Sequence, residues 1–278
     1  MIEFLKETLL LLPFLYGTYL VLEAVEAKAG GALGRFLGRA RSFGPFAGAI
    51  AGVVPQCGVS AAAASLYAGG VITVGTLLAV FLSTSDELLP VLISRHLPMP
   101  LIVKIAAVKI AGALVAGLAA NAFLKAVRHK RRPVSVGELC EHSHCKCAEG
   151  KGIFLPALVH TLEIFVFIAL VSGAIELAMH FWGEAALDRL CLNVPVAGEL
   201  IAGAIGLVPN CAVSVAAAEL YCKGAMSAGA MMSAAFTGSG LGLLVLFRTN
   251  RNLKENLFVL AAVYATGVLL GLVARFAF

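Results

Sequence analysis

Charged residues are scarce in this chain of 278 residues: they make up 13% of it, against about 25% in an average soluble domain. The sequence also lacks a phosphate-binding Gly-x-x-x-x-Gly-Lys-Ser/Thr loop, a Gly-x-Ser-x-Gly nucleophile turn and a His-Glu-x-x-His metal motif. The absence of the phosphate-binding loop excludes direct use of ATP by this chain, and no ATPase subunit is implied. Because 60% of the residues are hydrophobic, we predict an integral membrane protein. We also predict that it is not an enzyme and uses no cofactor.

A disulfide framework is also absent. The seven cysteines are an odd number; Cys57, Cys211 and Cys222 lie in apolar sequence, whereas three others crowd one loop. The net charge of +5 is modest and lies in loops, so it bears on membrane orientation and does not indicate nucleic acid. No small-residue cleavage site follows the first apolar run, so residues 8–24 are predicted to be a retained membrane helix and not a signal peptide.

What the sequence does contain is an internal repeat. Thirteen residues, Pro55–Tyr67, recur as Pro209–Tyr221 with nine identities at an offset of 154, and the match continues to Ser85 and Ser239. Repetition of this length indicates that one structural unit occurs twice. We predict a first membrane unit at residues 1–128, a linker at 129–152 and a second membrane unit at 153–278.

Each unit contains apolar segments that are interrupted in the middle. In the first unit, 43–70 is broken near Pro55 and 71–94 is broken at 83–87, whereas 101–126 is a continuous span. The second unit repeats this order with segments 154–181, 201–224, 225–247 and 257–278. Counting each arm of a broken hairpin as a helix predicts an all-α membrane fold of two five-helix units.

Basic residues predict the orientation. Segments 27–42 and 125–132 are rich in Lys and Arg, whereas 183–197 has only Arg189 against two acids, so the first two are predicted to be cytoplasmic and the third external. The segment 43–70 is either a re-entrant hairpin or one interrupted span, and the charge parity favours the hairpin. With hairpins, the two units become an inverted repeat whose broken segments meet near the midplane of the cytoplasmic membrane.

The repeated Pro-x-Cys-x-Val-Ser tips are the first candidate site. Proline breaks the helix and leaves backbone groups at membrane depth, where only protein or a water-filled cavity can satisfy them. A simple kink with a small core cysteine is the plainer interpretation, but two copies in one register favour a ligand site. The candidate ligands at the tips are Gln56, Cys57, Ser60, Asn210, Cys211 and Ser214.

Acidic and imidazole groups are the next candidates, because such groups are costly inside a membrane. Asp86 and Glu87 occupy the break of the second segment beside Ser85, while the second unit has Ser239, Gly240 and Leu241 at the matching positions. Further carboxylates and a histidine suit a proton relay or metal ligation, with a boundary role as the alternative: Glu23, His160, Glu163 and Glu176. Glu219 has less support.

The linker contains a short run rich in thiol and imidazole groups, which can gather around one soft or borderline metal ion. Its spacing is not that of a zinc finger, and a plain solvated linker is the alternative. We predict an accessory cytoplasmic metal-capture segment formed by Cys140, His142, His144, Cys145 and Cys147.

The paired Pro-x-Cys-x-Val-Ser…Leu-Tyr motifs, the Ser-Thr-Ser-Asp-Glu break at 83–87 and the His-Thr-Leu-Glu helix at 160–163 resemble one family. It is the family of ten-helix heavy-metal exporters, whose members are also labelled manganese transporters or arsenic efflux proteins. The resemblance covers essentially the whole chain and implies export of a metal or metalloid across the cytoplasmic membrane of a prokaryote. The labels disagree about the ion.

Together these features predict a secondary transporter that exports a divalent metal cation by alternating access, with manganese favoured and a proton as one coupling ion. Arsenite or another soft ion bound by Cys57 and Cys211 is the alternative. A membrane thiol-redox enzyme and a metal sensor are the rivals from other classes. The expected partners are the metal ion and the lipid bilayer, with a homodimer left open and no nucleic acid.

Overall fold

The computed structural model describes residues 43–53, 57–84, 88–126 and 194–278, with isolated positions between 13 and 20 and between 154 and 170. Within these residues the chain is helical and contains no strand. Outside the described residues lie most of the predicted helix at 8–24, the basic segment 27–42, the linker 129–152 and nearly all of 154–181.

Ten helices are described in two groups of five. The first group is α1 (Gly44–Ala51), α2 (Cys57–Ala68), α3 (Val74–Ser83), α4 (Leu88–Ser94) and α5 (Met99–Ala126). The second group is α6 (Ala197–Gly206), α7 (Cys211–Cys222), α8 (Ala228–Thr237), α9 (Gly242–Thr249) and α10 (Leu253–Ala274).

Four segments are long and apolar enough to cross a membrane: Val74–Ser94, Met99–Leu124, Ala228–Thr249 and Leu253–Ala274. The first combines α3 with α4 and the third combines α8 with α9, so two of the four are broken near their middle. The two broken segments are mostly buried inside the protein, whereas α5 and α10 expose much of their apolar surface. This distribution suits a membrane protein whose continuous helices face lipid.

The helix positions themselves repeat at the offset of 154. Helices α2 and α7 correspond end to end, as do α3 and α8, and α4 and α5 begin 154 residues before α9 and α10. The turn before α3 also recurs: Gly70 and Gly224 have φ angles of 73° and 72°, and Thr73 and Ser227 accept the N-capping hydrogen bonds. The repeat in the sequence is therefore a repeat of local structure.

The chain turns back on itself between α1 and α2. Gly44 lies against Thr76 and Gly52 lies against Ser83, so α1 runs beside α3 in the same direction. The chain must then return through α2, because α3 begins only six residues after α2 ends. In the second group Gly203 lies against Ser233 and Gly206 against Thr237, which gives α6 and α8 the same relation. These contacts agree with the hairpin alternative of the sequence analysis.

The closest of these approaches require glycine. A Cβ on Gly52 would stand 2.0 Å from Ser83 Oγ and 2.6 Å from the Val80 carbonyl oxygen. At the matching position, a Cβ on Gly206 would stand 2.2 Å from Thr237 Oγ1 and 2.5 Å from the Ala234 carbonyl oxygen. Small residues at these sites let the helix backbones touch, which is how helices associate where no hydrophobic effect drives them together.

The two groups interlock. Helix α2 packs against α9, and α7 packs against α4, so each hairpin arm contacts the broken segment of the other group. The Lys104 ammonium, near the start of α5, contacts the Ala277 carbonyl and lies 4.6 Å from the Phe278 ring centroid, just past the end of α10. Gly112, further along α5, faces Leu270, so α5 and α10 run in opposite directions.

Several predicted boundaries move outward in the structure. Helix α6 begins at Ala197, four residues before the predicted 201, and α10 begins at Leu253, four residues before the predicted 257. The prediction began each segment at an apolar residue. Helix α6 follows Val196, which makes no side-chain capping bond, whereas α10 follows a polar capping residue. The Asn252 side chain accepts a hydrogen bond from the Glu255 N–H at 3.4 Å and starts α10.

Candidate substrate site at the helix breaks

Two breaks interrupt the buried helices. The first break begins at Thr84, directly after α3, where the backbone leaves the helical conformation, and the second break, residues 238–241, separates α8 from α9. The last residue of each preceding helix has a buried hydroxyl that donates a hydrogen bond to a carbonyl one turn earlier. Ser83 Oγ donates to the Ala79 carbonyl at 2.8 Å, and Thr237 Oγ1 donates to the Ser233 carbonyl at 3.0 Å. Because the last carbonyls of a helix have no intrahelical partner, both breaks concentrate backbone acceptors inside the protein.

The second break contains a buried polar atom that needs a partner. Ser239 is 1% exposed, and its Oγ has no hydrogen-bond partner in the described part of the chain. The backbone around it is irregular, with Gly240 at a φ of 53°. Leaving a buried hydroxyl unsatisfied costs about 1–3 kcal/mol, so such an atom marks a place for a ligand or a bound water.

Serines from the first turns of α2 and α7 lie close to the second break. Ser60, fully buried on α2, lies beside Gly242: its Cβ is 2.9 Å from where a Cβ of Gly242 would stand. Ser214 on α7 has its Oγ 3.7 Å from where a Cβ of Gly238 would stand. Three of the predicted residues, Ser60, Ser214 and Ser239, therefore lie around the same four-residue break. Asn210, immediately before α7, is partly buried.

The side chains of the other predicted site residues are not among those that the structure describes. Cys57 and Cys211 are the first residues of α2 and α7, and their side chains are not among those described. Outside the described residues lie Gln56, Ser85, Asp86, Glu87, Glu23, His160, Glu163, Glu176, Cys140, His142, His144, Cys145 and Cys147. Within the described part, no three His, Cys, Asp or Glu side chains lie close enough to hold a metal ion.

Lys109 is a buried charge that the sequence analysis did not single out. Its side chain is fully buried in α5, and its Nζ donates to the carbonyls of Thr84 at 2.5 Å and Ala235 at 2.6 Å. One carbonyl belongs to each broken segment. Two features of the sequence could have identified it: this lysine lies well inside an apolar span, and the second unit has the apolar Val263 at the matching position.

A second missed charge is Glu199 in the first turn of α6. It is fully buried; its Oε1 lies 3.4 Å from Arg275 Nη1, while its Oε2 has no partner among the described residues. In the first group, Gly75 and Asn121 occupy the positions that match Gly229 and Arg275, and Asn121 Oδ1 accepts a hydrogen bond from the Gly75 N–H at 3.1 Å. Because Glu199 lies beside Gly229, at the start of α8, it is at the opposite end of that helix from the break.

Glu219 takes part in a contact between the two groups. Arg95 Nε, just after α4, donates to Glu219 Oε1 on α7 at 2.7 Å, and the pair is partly exposed. The first unit has Ser65 where the second has Glu219. This partner explains the acid without a role in ligand binding.

The described residues form an all-helical structure with four segments long and apolar enough to cross a membrane, two of them broken and largely buried, and Ser60 and Ser214 lie close to the second break. A comparison of the chain with protein-family models, curated proteins and solved structures finds no match. The resemblance to heavy-metal exporters therefore stays a prediction.

Proposed function

We propose that the protein is a secondary transporter that exports a divalent metal cation, with manganese favoured, by alternating access. The observation that carries the proposal is the hydroxyl of Ser239, which has no partner among the described residues, in a buried helix break close to Ser60 and Ser214. Broken helices that meet at a buried polar position are the usual substrate sites of secondary transporters.

The relation of the two groups supports an inverted repeat. Helices α5 and α10 run in opposite directions, and the repeated hairpins cross over to the opposite group's broken segment. In an inverted repeat, the two units exchange conformations while the substrate site stays near the midplane of the membrane. The membrane in this proposal is the cytoplasmic one. Re-entrant hairpins entering from opposite faces would then bring Ser60 and Ser214 together.

The expected ligands favour a hard cation. Ser60, Ser214 and Ser239 supply neutral oxygens, and Asp86 and Glu87, two and three residues after Thr84 at the first break, are close enough in sequence to supply carboxylates. Mn²⁺ prefers carboxylate, carbonyl and water oxygens, whereas arsenite and soft metals prefer thiolates. The thiolate alternative uses Cys57 and Cys211, which start the two helices that carry Ser60 and Ser214.

Reconstituted liposomes test the proposal. Purified protein is followed for flux of Mn²⁺, Zn²⁺ and arsenite, and Asp86→Asn is compared with Glu255→Gln, which changes an acid at the start of α10. We expect Mn²⁺ flux in the wild type and in Glu255→Gln, and a loss of at least about tenfold in Asp86→Asn because the ligand charge is removed.

The competing outcomes are distinct. Arsenite flux that needs both Cys57 and Cys211 would replace the manganese assignment with the soft-ligand alternative. Redox turnover of the two thiols without flux would favour the enzyme, and loss of a signalling response without flux would favour the sensor. Absence of flux for every ion under imposed proton and cation gradients would contradict the transporter class.

A further inference from the structure

The buried ammonium of Lys109 lies where two broken helices end. Thr84 is the C-cap of α3 and Ala235 belongs to the last turn of α8, so each carbonyl that accepts from Nζ comes from a helix C-terminus. The Phe236 ring centroid is 5.8 Å from the same nitrogen. Three features that favour a cation, two carbonyl ends and an aromatic face, thus converge on one atom.

Such carbonyl ends are the groups that coordinate transported cations where helices are broken inside a membrane. Here they are occupied by the protein's own cation, held on a four-carbon stem that can swing away. The position lies at the first break and reaches the last turn before the second break, so it is adjacent to the proposed substrate site.

The repeated framework does not require a charge at this place. The matching residue of α10, Val263, is fully buried and apolar. Taking an ammonium out of water is costly even when it is hydrogen-bonded, so an apolar residue would be the cheaper way to fill the space. Lys109 is therefore an asymmetric addition to a symmetric scaffold.

We propose that Lys109 is a built-in competitor of the transported cation. In the empty site its ammonium holds the Thr84 and Ala235 carbonyls; a metal ion that binds there displaces it. Because these carbonyls belong to opposite groups, the displacement releases a link between the two halves and couples binding to their relative movement. This inference rests on the cation export proposed above.

Metal affinity of the purified full-length protein tests the competition. The dissociation constant for Mn²⁺ is measured by the loss of the free-ion electron paramagnetic resonance signal for wild type, Lys109→Met, Lys109→Arg and Lys104→Met. Removal of a competing positive charge should tighten binding by Lys109→Met about tenfold or more. Lys109→Arg, which keeps the charge, should not tighten it, and Lys104→Met, five residues earlier on the same helix, should match wild type.

A purely structural lysine would give the opposite sign, because its loss would loosen the site and weaken binding. Wild-type binding with equal or weaker binding in Lys109→Met would overturn the competition and leave metal export standing. No Mn²⁺ binding in the wild type and no Mn²⁺ flux would remove both proposals together. Lys109→Gln, which retains an N–H donor without the charge, gives the same test if the methionine variant does not fold.

Discussion

At the scale of single residues, the differences between the two groups carry more information about function than their similarities. Among the shared residues, Gly52 and Gly206 allow close helix packing, and Ser60 and Ser214 are neutral ligands of the proposed site. The unshared ones, Lys109 against Val263 and Asp86 against Gly240, place charge on one side of an otherwise repeated arrangement. A site built from two equivalent halves would bind a cation equally well when it is open to either side of the membrane. Charge added to one half can make the two affinities differ.

Ser239 gives a residue-scale prediction. If its unsatisfied Oγ is a ligand, Ser239→Ala should raise the KM for Mn²⁺ flux severalfold, because one oxygen of the site is removed. The thermal midpoint of unfolding should stay equal or rise slightly, because a buried hydroxyl without a partner is destabilising. Flux in liposomes and differential scanning fluorimetry measure the two quantities.

Ser233→Ala is the matched control, since Ser233 Oγ already donates to the Glu199 carbonyl at 2.7 Å. That variant should lose stability and keep its KM. If Ser239→Ala instead behaves like Ser233→Ala, the hydroxyl is structural and the site lies elsewhere.

At the scale of helices, close backbone contact holds each hairpin against its broken segment. Helix α1 can lie on α3 only because Gly52 has no side chain, and α6 lies on α8 through Gly206 in the same way. The contact brings the end of α1 beside the end of α3, where the first break begins. Displacing the hairpin should therefore disturb both stability and transport.

Gly52→Ala tests this contact. The new methyl group would meet the Val80 carbonyl oxygen, which is backbone and cannot turn away, so we expect a loss of about 1–3 kcal/mol in the free energy of unfolding. Gly58→Ala is the control, since the second unit has Ala212 at that position. Equal stability of the two variants, measured by denaturant or thermal unfolding in one detergent, would show that α1 can shift without cost.

At the scale of the whole molecule, the two groups are joined by crossed contacts and not by a single interface. Helix α2 packs on α9, and α7 packs on α4. The ion pair of Arg95 and Glu219 adds a polar contact between α7 and the residue that follows α4. Because the pair is partly exposed, its removal should cost only about 0–1 kcal/mol. This pair therefore supplies little of the stability between the groups.

The linker supplies a prediction at this scale. Deleting residues 140–147 should lower Mn²⁺ flux at low ion concentration, where capture limits the rate, and leave the maximal flux within about twofold of wild type. The measurement is flux against Mn²⁺ concentration in liposomes. A complete loss of function on deletion would favour the sensor over the exporter, provided that the deleted protein is shown to fold.

The sequence alone determined the class of fold, the repeat and the position of the breaks. Apolar runs too long for a soluble domain predicted a membrane protein, and proline and the Ser-Thr-Ser-Asp-Glu cluster predicted where helices stop, because these effects are local. Helix starts were predicted less well. Capping residues such as Asn252 are polar, and a search for apolar residues misses them.

Only the tertiary structure decided which residues meet. The direction of α1 relative to α3, the placement of Ser60 and Ser214 at the second break, and the partners of Lys109 and Glu219 all depend on contacts between residues distant in the chain. Lys109 shows the reason most clearly. Its partners are the backbone carbonyls of Thr84 and Ala235, and a carbonyl is the same in every residue, so no sequence pattern can identify which one a buried ammonium will reach.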